Sequence, residues 1–406
     1  MTEAEIAKLA SWLAKAGLEG RSETVLVEGF CNRAAAGGLP LVRAILFIDT
    51  LHPIHEGRAF RWERDKPEAT LTEYGRTSGE GEAAERWRTS PLYRLLNSGE
   101  SLLRLPVTAE TEAEFPSFAE FREAKFTDYV AIINRFAEDG AIGEMDCVYS
   151  YWMTDRADGF TDEEIGALKR LTPFLGLAIK AASLARIAET LVETYLGRDA
   201  GRRVLRGRIE RGVADRIKTV LWFSDLRNYT RISETSAPEE IIPLLNDYAE
   251  AVVSSIHQHS GDVLKLIGDG VLAIFPAEER SRACAAALDA AAAAREAVAA
   301  LNARRFEKGL PASDMYLGLH IGEVFYGNIG SKERLDFTVV GPAVNEVSRI
   351  AAMCRSVDQP ILISASFAES CTEERRAFAS VGRFALRGVG KPQELFTLDL
   401  EGSSVG

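Results

Sequence analysis

One long helical pattern near the middle of the chain constrains its architecture more than any other feature. Thr161 and Glu164 belong to a Thr-Asp-Glu-Glu segment in which each side chain can bond the other residue's backbone amide, as in a helix capping box. The helical pattern continues to about Leu196, and Pro173 can kink it. A helix of this length inside a chain of 406 residues predicts two domains joined by a connector.

Composition excludes several classes of protein. Apolar residues make up 46% of the chain and charged residues 27%, which predicts packed cores rather than disorder. The net charge of -12 argues against a protein that coats nucleic acid or an anionic membrane. No apolar run is long enough to span a membrane and no secretion signal is recognisable, so we expect a cytoplasmic protein. Buried thiols are expected at the widely spaced Cys31, Cys147, Cys284, Cys354 and Cys371.

The first 160 residues alternate between helical and extended patterns. Extended apolar runs at 41–48, 101–107, 126–136 and 145–153 predict a mixed α/β domain with a largely antiparallel sheet. Together with the exit helix, residues 1–175 resemble a GAF domain, which implies a sensor for an unidentified small-molecule effector. His52 and His55 lie beside a proline, a pattern more typical of a turn than of a metal site.

The later part of the long helix carries apolar or small residues at steps of four and three. Such a seam suits a parallel partner helix, and it equally suits packing on the helix's own domain. We assign residues 176–214 to a signalling helix and linker, because the basic, glycine-punctuated stretch after Leu196 is typical of a hinge. The seam residues are Leu177, Ala181, Leu184, Ala188, Leu191 and Tyr195.

Two carboxylates occupy strand ends in the C-terminal half. Asp225 ends the apolar strand pattern KTVLWFSD, and Asp269 lies in the tight turn of a predicted hairpin, DVLKLIGDGVLAIFP. If the two strands are neighbours, both acids lie at the same sheet edge, where paired carboxylates can hold magnesium. Aspartates at strand ends are also common turn formers, so the pair alone leaves both interpretations open.

A second pair of polar residues lies on the predicted helix GPAVNEVSRI. Asn345 and Arg349 are four residues apart and therefore share one face of that helix. An amide beside a guanidinium suits an anionic oxygen that gains charge during phosphoryl transfer. By themselves these residues also fit an ordinary surface helix.

The C-terminal half resembles the class III nucleotidyl cyclase catalytic domain in three separated motifs, FSDLRNYT, LKLIGDGVLAIF and FTVVGPAVNEVSRI. The resemblance covers residues 215–401 and implies a ferredoxin-like cyclase domain, so the whole chain is expected to be of the α/β (α+β) class. It also implies that Asp225, Asp269 and the backbone carbonyl of Leu226 hold two Mg²⁺ or Mn²⁺ ions per active site.

The same resemblance implies roles for four more positions. Asn345 would orient the ribose, and Arg349 would stabilise charge on the phosphate under attack. Lys265 would read the purine, where a lysine implies adenine. Thr338 stands where the family usually has an aspartate, and its hydroxyl would accept the adenine amino group.

Some positions depart from the family pattern or match it in an ambiguous register. Asn228 replaces a frequent glycine and tolerates positive φ, and Pro342 fits the first turn of a helix. Glu346 would weaken substrate binding if it pointed toward the polyphosphate. Arg387 and Lys391 lie where the family places a triphosphate-contacting lysine, and either could be that residue.

These resemblances imply an adenylate cyclase that converts ATP to 3′,5′-cyclic AMP and pyrophosphate under control of the N-terminal domain. In that family one chain supplies the metal-binding acids and the other chain the remaining residues, so a homodimer is required. The alternatives are a guanylate cyclase, which Lys265 disfavours, and an inactive nucleotide-binding homologue, which would lack a metal-binding acid. No GxxxxGK[ST] segment of a P-loop ATPase occurs.

Overall fold

The chain forms two compact units, Met1–Leu191 and Val192–Gly406. A computed structural model describes residues 1–76, 80–137, 141–371 and 378–398. Each unit is built around its own β-sheet with helices packed against it. The expected mixed α/β (α+β) class is therefore confirmed.

The N-terminal unit is a six-stranded antiparallel sheet in the order β3-β2-β1-β6-β5-β4. Strands β1, β4, β5 and β6 coincide with the predicted extended runs. Strands β2 and β3 were not predicted, because their residues are mostly polar. The strands are β1 (Arg43–Asp49), β2 (His55–Glu63), β3 (Lys66–Gly75), β4 (Leu102–Pro106), β5 (Asp128–Arg135) and β6 (Cys147–Thr154). The helices are α1 (Glu3–Leu18), α2 (Glu23–Ala36), α3 (Glu82–Arg88), α4 (Pro91–Ser98), α5 (Ala109–Glu114) and α6 (Phe118–Glu123).

Helix α7 (Asp162–Leu196) confirms the long helical pattern and its predicted start. The Thr161 amide donates to Glu164 Oε2 at 2.8 Å, and the Glu164 amide donates to Thr161 Oγ1 at 3.2 Å. On the predicted seam, the side chains of Leu177 and Tyr195 are 68% and 80% exposed within one chain. By length and composition α7 could cross a membrane, although 44% of its most apolar window is buried within the protein.

The C-terminal unit contains an eight-stranded sheet in the order β13-β14-β12-β10-β7-β9-β8, with β11 paired to β10. Strands β10 and β12 run parallel, and the other paired neighbours run antiparallel. The strands are β7 (Ala214–Leu226), β8 (Asp262–Ile267), β9 (Gly270–Pro276), β10 (Met315–Gly330), β11 (Leu335–Val340), β12 (Ile361–Ser364), β13 (Phe378–Phe384) and β14 (Gln393–Leu398). The helices are α8 (Arg198–Leu205), α9 (Tyr229–Thr235), α10 (Pro238–Gln258), α11 (Arg280–Glu307), α12 (Pro342–Val357) and α13 (Ala365–Ser370).

Alternating residues of β7 supply the two faces of this sheet. Trp222 is buried against α10 and α11, whereas Leu221 is buried on the face covered by α8 and α12. Helix α12 lies so close to β10 that only a glycine fits at position 318. A Cβ at Gly318 would lie 2.8 Å from the Val347 carbonyl oxygen. The sheet thus fixes the position of the helix that carries Asn345 and Arg349.

Candidate active site

The two strand-end carboxylates meet at one edge of the C-terminal sheet. Strand β7 pairs directly with β9, and Ser224 lies opposite Val271. This register places Asp225 next to the β8–β9 turn that carries Asp269. Asp269 Oδ2 accepts a hydrogen bond from the Leu226 amide at 3.1 Å. The structure therefore brings together the three predicted metal-site residues, which line one cleft of about 580 Å³.

The electrostatics of this pair favour a bound cation. Burial, and to a smaller extent the charge of Asp269, raise the pKa of Asp225 to about 6. Asp225 Oδ1 is buried and has no hydrogen-bond partner among the described residues. Two carboxylates and a backbone carbonyl are hard oxygen ligands of the kind that Mg²⁺ and Mn²⁺ prefer. The described residues contain no group of three or more His, Cys, Asp or Glu that could hold a metal, and the acids of this cleft are the pair Asp225 and Asp269 with Glu234.

The turn after Asp225 has the backbone that the sequence predicted. Asn228 has a φ of 59°, in the left-handed region, and precedes α9. Arg231 on this helix lines the acid cleft, and Arg355 near the end of α12 lines it too. Sequence reasoning missed both arginines, since Arg231 belongs to a short helix and Arg355 is remote in sequence. Their positive charges can offset the negative charge of a polyphosphate in the cleft.

Lys265 forms an ion pair with Asp336, and this contact was not predicted. Asp336 and Thr338 are partly exposed and alternate along β11 with buried Phe337 and Val339, so they share the face that Lys265 approaches. The lysine therefore has an acidic partner two residues before the threonine. The period-two alternation of LDFTVV indicates that Asp336 and Thr338 share a face, but it does not indicate that Lys265 lies against that face.

Glu346 points into the protein. Its Oε2 lies 3.9 Å from His320 Nε2, beneath α12, and its side chain is 16% exposed. Burial raises the pKa of Glu346 and lowers that of His320 to about 4. His320 Nδ1 also lies 2.9 Å from Ser364 Oγ. Pro342 begins α12, as expected.

The loop that carries Arg387 and Lys391 lies beside Arg349. This loop joins β13 to β14, and a Cβ at Gly388 would lie 3.6 Å from Arg349 Nη2. Gly388 has a φ of +77°, which favours glycine at this position. The structure thus places the loop with Arg387 and Lys391 next to Arg349, and it does not distinguish between the two residues for the predicted role.

Within one chain the predicted residues form separate groups. The cleft with Asp225 and Asp269 includes Arg355 of α12, but its described lining does not include Asn345, Arg349 or Lys265. Asn345 is exposed and Arg349 is half-buried. A single chain therefore presents the acids in one place and the base, ribose and phosphate candidates elsewhere.

Comparisons with known proteins identify the C-terminal unit. Residues 214–399 match the family model of the adenylate and guanylate cyclase catalytic domain. An uncharacterized protein of Mycobacterium tuberculosis is 31% identical over 237 residues, which are 58% of this chain and 42% of that protein. An adenylate cyclase of Anabaena cylindrica is 36% identical over 171 residues, 41% of this chain and 33% of that protein.

Among solved structures, the adenylyl cyclase CyaB from P. aeruginosa aligns with a TM-score of 0.43 and 24% identity, over 48% of this chain and 100% of that chain. The aligned part of this chain spans less than half the length of the curated relatives it matches.

Proposed function

Because residues 214–399 form an adenylate and guanylate cyclase catalytic domain, we propose that the protein is an adenylate cyclase that converts ATP to 3′,5′-cyclic AMP and pyrophosphate. The observation that carries this proposal is the convergence of Asp225 and Asp269 in one cleft beside the Leu226 backbone. A catalytically inactive homologue would be expected to lack one of these acids.

Asp225, Asp269 and the Leu226 carbonyl would hold two Mg²⁺ or Mn²⁺ ions in this cleft. The unsatisfied Asp225 Oδ1 supports this assignment, because a buried carboxylate oxygen without a donor is stabilised by a cation. When bound, such ions lower the pKa of the ribose 3′-hydroxyl and neutralise the leaving pyrophosphate.

The chain's own residues then bind and orient the substrate. Asn345 would hold the ribose so that its 3′-oxygen faces the α-phosphorus. Arg349 would donate hydrogen bonds to the phosphate oxygens as they gain charge. Arg387 or Lys391 would bind the triphosphate from the neighbouring loop, with Arg231 and Arg355 on the side of the acids.

Adenine is favoured by the donors and acceptors at Lys265 and Thr338. Adenine presents an acceptor at N1 and a donor at its amino group, which match the Lys265 ammonium and the Thr338 hydroxyl. Guanine presents a donor at N1 and an acceptor at O6, so the same pair fits it less well. Guanylate cyclase remains the alternative activity, since the matched family contains both enzymes.

A homodimer would complete the active site. Exposed apolar side chains lie near the base and acid residues, which supports burial against a second copy. Leu266 and Ile267 next to Lys265 are 56% and 47% exposed, and Phe325 and Val340 pair across β10 and β11 at 52% and 41% exposure. Leu184 and Leu191 of the α7 seam pack against their own unit, whereas the exposed Leu177 and Tyr195 would contact the second chain.

The N-terminal unit would serve as a GAF-like sensor that controls the cyclase in the cytoplasm. Its six-stranded antiparallel sheet with flanking helices supports this proposal. An unidentified small molecule would be its effector, and α7 would carry the response toward the C-terminal unit.

Product analysis tests the proposed activity. The full chain is incubated with ATP or GTP and with Mg²⁺ or Mn²⁺, and the nucleotides and pyrophosphate are quantified. We expect cyclic AMP and pyrophosphate in equal amounts from ATP, loss of both in Asp269→Asn, and retention in Glu296→Gln on the exposed face of α11. Cyclic GMP as the main product would favour the guanylate cyclase alternative, and ADP alone or no product with either metal would contradict both.

A further inference from the structure

Two buried thiols meet in the C-terminal unit, away from the candidate active site. Cys284 lies in the second turn of α11, and Cys371 directly follows α13. Their thiols are hydrogen-bonded to each other. Both side chains belong to the same apolar cluster, in which α11 packs against α13.

The other three cysteines have different surroundings. Cys31 and Cys147 belong to the N-terminal unit, each in a different apolar cluster. The thiol of Cys354 donates to the Leu317 carbonyl at 3.4 Å. Among the described residues, the contact between two thiols is therefore the one between Cys284 and Cys371.

We propose that Cys284 and Cys371 form a redox-sensitive pair that hydrogen peroxide converts to an intramolecular disulfide. In the first step one thiolate attacks a peroxide oxygen, the O–O bond breaks, and a sulfenic acid and hydroxide form. The hydroxide takes up the proton that the thiol had released and becomes water. The second thiol then attacks the sulfenic sulfur, the S–O bond breaks, and a second water leaves with the thiol proton. Two thiols thus lose two electrons, and the peroxide is reduced to two waters.

Exposure indicates which sulfur reacts first. Cys371 is 6% exposed and Cys284 is fully buried, so the peroxide reaches Cys371 and Cys284 resolves the sulfenic acid. The contact with the Cys371 thiol, together with burial, raises the pKa of Cys284 far above its ordinary value, which makes its thiolate scarce. Oxidation is therefore slow compared with that of an exposed thiol.

The disulfide would tie α13 to α11 and close a loop of about 90 residues. The first turn of α13 is capped by Ser364, whose hydroxyl also contacts His320 under α12. Because the crosslink restricts the unfolded chain, the oxidised protein should unfold at a temperature several degrees higher than the reduced protein.

Mass spectrometry tests this pair without reference to cyclase activity. The full chain is treated with hydrogen peroxide, alkylated with iodoacetamide and digested. We expect an intact mass lower by two hydrogen atoms before alkylation, a peptide that links Cys284 to Cys371, and reversal by dithiothreitol. Cys354→Ser should retain the link, and Cys284→Ser should lose it while Cys371 takes up oxygen.

The wild-type protein alone can overturn the proposal, so the result does not depend on how well a variant folds. Links between other cysteines or between chains would contradict it, and so would alkylation of both thiols after the peroxide has been consumed. Because no nucleotide is involved, a negative result leaves the proposed cyclase activity unaffected.

Discussion

Lys265 on β8 and Asp336 on β11 form an ion pair, and Thr338 lies two residues beyond Asp336 on the same face. An ammonium has three N–H donors, so the carboxylate can hold Lys265 while other donors stay available for a purine. The pair therefore restricts where the lysine points. Its two side chains are 45% and 42% exposed, which keeps the interaction modest in a single chain.

Asp336→Asn should weaken the discrimination between ATP and GTP. The neutral amide no longer attracts Lys265, so the ammonium samples more positions around the base. We expect the ratio of kcat/KM for ATP over GTP to fall by about threefold to fivefold, which corresponds to an exposed ion pair of up to about 1 kcal/mol. Steady-state rates with both nucleotides measure the ratio.

Glu333→Gln is the matched control for Asp336→Asn. Glu333 lies in the turn before β11 and is exposed, so the same loss of charge occurs nearby without touching Lys265. If both variants change the ATP-to-GTP ratio of kcat/KM equally, the loss of one negative charge, and not the loss of the contact with Lys265, causes the change.

Mixed dimers should recover activity that neither parent variant has. Asp225→Ala removes an acid of the proposed metal site, and Arg349→Ala removes the guanidinium that we propose binds the phosphate. A heterodimer of the two chains contains one site with the intact acid from one chain and the intact arginine from the other. We expect about half of the wild-type activity per heterodimer, measured after purification through two different affinity tags.

Inactive heterodimers of verified composition would rule out sites shared between chains. Two chains that both carry Asp225→Ala serve as the control, because neither of their sites has the acid. They should remain inactive under the same conditions.

Arg349→Ala should lower kcat by on the order of 10²-fold and change KM little, because in the proposed role its hydrogen bonds strengthen as charge develops on the phosphate. Arg349→Lys should recover part of the rate, since it restores the charge but not the planar fork of donors. Steady-state kinetics with ATP measures both effects. Arg282→Ala on the exposed surface of α11 is the control. A similar loss of kcat in that variant would contradict the proposed role of Arg349.

Acid should destabilise the C-terminal unit through His320. Burial lowers the pKa of His320 from 6.5 to about 4, so between these values the unfolded chain binds a proton that the folded residue does not. The free energy of unfolding therefore falls as the pH falls through this range, by up to about 3 kcal/mol, and it is fully restored above pH 6.5. In His320→Asn this contribution is absent.

Urea unfolding at a series of pH values measures the difference between the wild type and His320→Asn. Hydrogen exchange of β10 peptides follows the unfolding of the strand that carries His320. Carboxylates that do not contact His320 are present in both proteins, so their pH dependence cancels in the comparison. Glu346 lies 3.9 Å from His320 Nε2, so the same pair of proteins is also compared in a Glu346→Gln background. Identical pH dependence in the two proteins would mean that His320 is not held neutral by burial.

Local patterns in the sequence were sufficient for several elements of the structure. The capping pair Thr161 and Glu164 starts α7 where predicted, because the signal depends on residues three apart. The glycine-flanked turn places Asp269 between β8 and β9 for the same reason. Strands β2 and β3 escaped prediction, since most of their residues are polar and the few buried ones, such as Phe60 and Trp62, do not form an apolar run.

The sequence by itself determined the short-range features of the candidate site: two acids at strand ends, a left-handed Asn228, and Asn345 and Arg349 on one helix face. Only the tertiary structure decided that Lys265 pairs with Asp336, 71 residues away, that Glu346 turns toward His320, and that Arg355 reaches the acid cleft. Turns and helix faces follow from the covalent spacing of a few residues, whereas contacts between distant residues depend on strand order and register, which the packing of the whole sheet selects.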